Sequence, residues 1–191
     1  MASGPVSAIL LAAGKSSRMG KLKQLMPLGD STILEQTLDN LLSSRVAEVI
    51  VVLGHKAEEI TKRLSGRPVK LVVNPLYRKG MSSSIAAGLK FVDRQSQAVM
   101  LVLGDQPYVD SATIDRLIDA FSQNKKGIAI PTYKKQRGHP LIFDRKYQAP
   151  LSHLSGDIGG REIISQHPED VLEVPVKCEG VVIDIDTPAS P

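Results

Sequence analysis

The sequence predicts an α/β fold: a mostly parallel central sheet covered by helices on both faces, three layers in all. Three observations carry this. Short apolar runs alternate with amphipathic stretches through the first two thirds of the chain, in the order βαβαβαβαβ, and strands joined by helical crossovers pair in parallel and are buried on both sides. Aromatic residues make up only 4% of the chain and Trp is absent, so the core is aliphatic, as a doubly covered sheet requires. At 191 residues the chain reads as one domain that buries a core without disulfides or a structural metal.

The elements follow in order. Val6 to Leu11 is a continuous apolar run and reads as a buried strand. A Gly, Ser, Lys and Arg-rich loop comes next. Ile33, Leu34, Leu38, Leu41 and Leu42 recur at helical spacing, which predicts a helix over Ser31 to Leu42 with Asp30 or Ser31 as cap. Glu48 to Leu53 is a β-branched strand, Ala57 to Leu64 a polar helix, and Val69 to Val73 a strand stopped by Asn74-Pro75. Ser82 to Phe91 reads as a helix, Ala98 to Leu103 as a strand, Ser111 to Phe121 as a helix capped by Asp110 or Ser111, and Gly127 to Ile130 as a strand. The last third is less regular. Pro140 to Phe143, Leu172 to Val176 and Val181 to Ile185 are predicted strands, and Gly159 to Ser165 a short helix. Residues about 6–130 thus form one half of the domain, and about 131–188 an elaboration that walls a cleft.

Composition narrows the function classes. No apolar run reaches the roughly 18 residues of a membrane span, and Met1 to Val6 lacks the charged and apolar regions of a signal peptide. Cys178 is the single cysteine, so no internal disulfide forms, which favours a reducing compartment. The net charge of +4 is dispersed and aromatic surface is scarce, which argues against a nucleic-acid partner. A modest basic excess suits small polyanions.

In open α/β sheets ligands bind outside the carboxyl ends of the strands, so the loops after strands hold the informative residues. The first runs from Leu11 through Ala12, Ala13 and Gly14 to Lys23. Its small residues let backbone N–H groups approach an anion, and Lys15, Arg18, Lys21 and Lys23 add charge. It is no Walker A loop, because Leu22 stands where Ser or Thr is required, and it lacks the Gly-x-Gly of dinucleotide folds. The second, Gly104-Asp105-Gln106-Pro107, places an acid at a strand end, either as a turn residue or as a Mg²⁺ ligand. The third, Asp184-Ile185-Asp186-Thr187-Pro188, puts two carboxylates two residues apart, on one side of the predicted strand. The fourth runs from Asn74 to Gly88 and sets Gly80 and three serines before a helix, presenting N–H and hydroxyl groups to a polar ligand.

These segments carry a resemblance. Leu-Ala-Ala-Gly-x-Ser-x-Arg-Met-Gly-x-x-Lys, from Leu11 to Lys23, resembles the signature of nucleotidyltransferases on a Rossmann-like half fold. Within them the chain most resembles the molybdenum cofactor cytidylyltransferases and MobA-like proteins, over roughly Ala8 to Pro188. The resemblance implies that Leu11, Ala12, Ala13, Gly14, Gly80, Ser84 and Gly88 bind the nucleotide, and that Arg18 and Lys23 grip its phosphates. It implies that Asp105 and Asp186 hold Mg²⁺, with Asp184 the alternative to Asp186. Gly138-His139-Pro140 and Gly156-Asp157-Ile158-Gly159-Gly160-Arg161 are similar to acceptor-side motifs, with His139, Gly159, Gly160 and Arg161 the candidates.

In this family Leu-Ala-Ala-Gly goes with CTP and Leu-Ala-Gly-Gly with GTP, so Ala13 points to CTP. The implied reaction is CMP transfer to the terminal phosphate of molybdenum cofactor, in the cytoplasm, with transient contact to a molybdoenzyme. GTP as donor, a small cytidylyltransferase with another phosphate acceptor, and a non-catalytic cofactor carrier are the alternatives.

Overall fold

The computed structural model describes residues 4–14 and 22–185. Its strands are β1 Val6–Ala12, β2 Pro27–Leu28, β3 Ser31–Thr32, β4 Glu48–Leu53, β5 Lys70–Val73, β6 Ala98–Leu103, β7 Ile128–Tyr133, β8 Gln136–Arg137, β9 Leu141–Asp144 and β10 Val171–Pro175. Its α-helices are α1 Ile33–Leu42, α2 Ala57–Arg63, α3 Met81–Leu89, α4 Ser111–Ser122, α5 Gln148–Ser152 and α6 Arg161–Gln166. Among the described residues the central sheet runs β10-β7-β9-β6-β1-β4-β5, with β8 paired to β7, while β2 and β3 form a separate hairpin. The sheet is parallel except for β9, which is antiparallel to both β6 and β7, and the β7–β8 hairpin.

Alternation along β1 sorts the two faces. Ala8 and Leu10 pack with Leu38 of α1, Ile60 of α2 and Leu117 of α4. Ile9 packs on the opposite face with Ile85 of α3, Leu151 of α5 and Ile163 of α6. Period-2 geometry sends successive side chains to opposite faces, so a strand buried on both sides reads as one apolar run. The mostly parallel α/β fold predicted from the sequence is therefore the one observed. Among the described residues no helix is long and apolar enough to cross a membrane.

Local chemistry explains where the elements begin. The α1 cap is Thr32, one residue beyond the two candidates. Its side chain accepts from Glu35 N–H while Glu35 reaches back to Thr32 N–H, a capping box. For α4 the cap is Asp110, accepting from Thr113 N–H at 2.7 Å.

One predicted strand is absent. Residues 181–185 form no ladder; Glu179–Val182 is a 3₁₀ turn followed by irregular chain. Its β-branched composition suits a strand, but its backbone is engaged by loops. His139 N–H donates to Val181 O at 2.9 Å and Ile185 N–H to Asp105 O at 3.3 Å. Asp184 therefore sits on irregular chain rather than on the expected strand, and Asp186 lies outside the described residues.

Candidate active site

A cleft of about 950 Å³ opens at the carboxyl ends of the central strands. β1 and β6 lie side by side with Leu11 opposite Leu103, and the chain leaves both strands into the cleft, as the crevice rule for open sheets requires. The first turn is held by its own carbonyls. Leu11 O accepts from Gly104 N–H at 3.0 Å and Ala13 O from His55 N–H at 3.3 Å. Ala12 O and Gly14 O both accept from the Gln24 side-chain amide, at 3.4 and 3.2 Å. Gln24 is thereby a supporting residue that the sequence did not single out.

Opposite this turn, the Lys23 ammonium donates to Asp105 Oδ2 at 2.8 Å. The two side chains are 21% and 31% exposed, so the pair is shielded yet open to a ligand. Asp184 also lines the cleft and accepts from the Gln106 side-chain amide at 2.7 Å. A carboxylate partner fixes which end of that amide faces it, since a flipped Gln106 would set oxygen against oxygen. Asp105 and Asp184 thus present hard oxygen donors to one cleft. Among the described residues no group of three or more His, Cys, Asp or Glu side chains converges on a metal site. Two carboxylates suit Mg²⁺, which takes one or two plus substrate phosphates.

Leu11, Ala13, Gly14, Lys23, Gly80, Ser84 and Asp105 line the cleft. Ala12 does not; it is 1% exposed and packs into the core on the α1 side. Gly88 also lies elsewhere. A Cβ on it would fall 2.7 Å from Ile9 Cγ2 and 3.0 Å from Val52 Cγ2, so this glycine lets α3 sit close on the sheet. Arg18 and Asp186 lie outside the described residues. Tyr77, Arg78 and Lys79 complete one wall; they sit in the fourth segment but were not singled out.

The acceptor-side candidates divide. His139 is half-buried, and its pKa falls to about 4 through desolvation and the Arg161 charge, opposed by Asp105. Its ring is therefore neutral at pH 7 and near enough to both groups to feel them. Gly160 packs on the Phe143 ring, where a Cβ would come within 2.5 Å of Cζ. Arg161 opens α6. Gly159 lies instead against Met81, with a Cβ 2.9 Å from its Sδ.

The described MobA-like NTP transferase domain matches residues 8–171. The chain belongs to this family. A molybdenum cofactor cytidylyltransferase from Escherichia coli strain K12 is 27% identical to it, over 96% of this chain and 92% of the relative. A nicotine blue oxidoreductase from Paenarthrobacter nicotinovorans is 31% identical, over 95% and 92%. The structure of Rv0371c from Mycobacterium tuberculosis H37Rv in complex with manganese superposes with a TM-score of 0.78 at 29% identity, covering 92% of this chain and 89% of that one. The MobA-like family is one of nucleotidyltransferases, and this chain is a nucleotidyltransferase of that cytidylyltransferase-related type.

Proposed function

We propose that the protein transfers CMP from CTP to the terminal phosphate of molybdenum cofactor, releasing pyrophosphate and forming the cytosine dinucleotide cofactor. The observation that carries this reading is the Lys23–Asp105 contact at 2.8 Å in the cleft, beside the Gly14 turn. It joins a phosphate-gripping cation to a metal-binding carboxylate at the junction of two adjacent parallel strands.

The chemistry is a phosphoryl displacement. An oxygen of the acceptor phosphate forms a bond to the α-phosphorus, and the bond to the bridging oxygen breaks, its electron pair leaving with pyrophosphate. The nucleophile is ionised near pH 7, so no general base is required. The difficulty is electrostatic, because anions must meet and charge grows on the leaving group. Lys23, with Arg18, neutralises that charge. Asp105, with Asp184 or Asp186, would hold Mg²⁺, which supplies Lewis-acid polarisation and a template for the phosphates. His139, neutral within range of the Asp105 and Arg161 charges, offers a hydrogen bond to the acceptor without adding charge, and Arg161 draws the acceptor phosphate. One domain carries both walls, the nucleotide half over about 6–130 and the acceptor side over about 131–188. Placement in the cytoplasm and delivery to a molybdoenzyme complete the proposal.

Pyrophosphate release with each NTP and a panel of phosphate acceptors, with and without Mg²⁺, tests it. The expected result is release with CTP and molybdenum cofactor, weaker with GTP, and abolished by metal chelation. Release with a different acceptor would retain the transferase and replace its substrate. Cofactor binding with no response to any NTP would identify a carrier. Redox turnover of nicotine blue without pyrophosphate release would assign an oxidoreductase, the activity named for the relative at 31% identity.

A further inference from the structure

The Gly156–Arg161 stretch resembles an acceptor-side motif, yet half of it lies on the nucleotide side. Met81 N–H, the first of α3, donates to Asp157 Oδ1 at 3.1 Å across 76 residues of sequence. Ser82 N–H and the Ser82 hydroxyl both donate to Gly156 O, at 3.3 and 2.6 Å. Ser83 N–H is taken by Gly80 O at 3.2 Å. Gly80 makes this approach possible: its φ is +102°, and a Cβ there would lie 2.5 Å from Gly156 C and O. The Ser82 and Ser83 hydroxyls, expected to greet a ligand, are thus spent on structure. Ser83 Oγ donates to Leu76 O and Gly80 O, and Ser84 Oγ accepts from Asn74.

A helix end normally offers its unpaired amides to an anion. Here Gly80 supplies no side-chain cap, and Asp157 fills that place with a carboxylate. Asp157, Gly80, Met81 and Ser84 line the same cleft as Lys23 and Asp105. Arg78 and Lys79 stand on this wall too, but a phosphate drawn to them finds the amides of residues 81–83 already occupied.

Resting on the nucleotidyltransferase reading, we propose that Asp157 belongs to the nucleoside wall of the cleft. Pinned by Met81 N–H, its carboxylate holds phosphate away from the start of α3 and presents an acceptor to the hydroxyl and amino groups of a bound nucleoside. The triphosphate is thereby left to Lys23 and the Gly14 turn. The Gly156–Arg161 motif then spans both substrates, with Asp157 on the nucleoside and Arg161 on the acceptor.

The test is calorimetric binding of cytidine, CTP and inorganic tripolyphosphate to the full chain and to Asp157→Ala and Asp157→Asn. Losing a charged hydrogen-bond acceptor predicts cytidine and CTP binding weakened about tenfold in Asp157→Ala. Tripolyphosphate binding stays unchanged or tightens. Asp157→Asn, whose side-chain oxygen still accepts from Met81 N–H, loses less. Equal loss of cytidine and tripolyphosphate in both variants marks a purely structural role and overturns the proposal. So does wild-type cytidine affinity in Asp157→Ala with the defect confined to acceptor KM. A wild-type protein that binds CTP without turnover removes the transferase reading while the cytidine comparison still supports Asp157; one that binds no nucleoside at all overturns both.

Discussion

The Lys23 ammonium lies 2.8 Å from the Asp105 carboxylate across 82 residues of sequence, because the strands that precede the two residues are hydrogen-bonded neighbours. The pair is partly exposed, so as a fold-stabilising contact it contributes at most about 1 kcal/mol. Its effect on catalysis is expected to be far larger. Lys23→Ala and Asp105→Asn should each lower pyrophosphate release by roughly 10²–10³, by analogy with losing one transition-state donor. Melting temperatures should barely move. Full turnover in both variants would leave the pair without a catalytic part.

Ala13 is 3% exposed and lines the cleft, so under the proposed function its methyl group would limit the room available to a base. Ala13→Gly should raise the ratio of kcat/KM for GTP over CTP. One methyl in an apolar pocket discriminates by about 1–3 kcal/mol, so the gain should be near tenfold. An unchanged ratio, measured in competition between the two nucleotides, would move base selection elsewhere.

Burial and the Arg161 charge hold the His139 pKa at about 4, against an ordinary value of 6.5. Between those values the unfolded chain binds a proton that the native chain refuses, so stability falls as pH drops through this window. Above pH 6.5 the effect vanishes. At the acid end it amounts to at most about 3 kcal/mol. His139→Gln should therefore lose less stability than the wild type between pH 7 and pH 4 in denaturant melts without nucleotide or metal. Parallel losses in the two proteins would show that His139 protonates freely in the fold.

Gly88 separates packing from binding. A methyl there meets Ile9 and Val52, of which both are fully buried, and overpacking of this kind costs about 1–3 kcal/mol. Better helix propensity returns about 1 kcal/mol. Gly88→Ala should melt a few degrees lower yet keep its nucleotide KM. A raised KM at unchanged stability would restore Gly88 to the binding residues.

The sequence made the parallel core legible because apolar runs and amphipathic stretches report burial directly. Lys23 and Asp105 were singled out for another reason, the resemblance of the two motifs that carry them to those of the nucleotidyltransferases. Contacts between motifs were not legible. Nothing in Asp157 or Met81 announces the other. The β7–β8 hairpin escaped as well. It turns through Lys134 and Lys135 at φ 47° and 69°, a conformation that Asn-Gly advertises and two lysines do not. Residues 181–185 have a strand's composition, but Val181 is engaged by His139 and Ile185 by Asp105.

The reversed course of β9 has an architectural consequence. In an all-parallel sheet each strand delivers its chain to the crevice only on leaving. Because β9 runs against β6, with Leu141 opposite Leu101, it also brings the residues before it, Gly138 to Pro140, to that rim. The β10 strand, parallel to β7, then returns the chain to the rim again after Pro175. The first excursion starts on β7 and finishes on β9, so completed ladders fix both of its ends and its length can change without disturbing β1, β4 or β6.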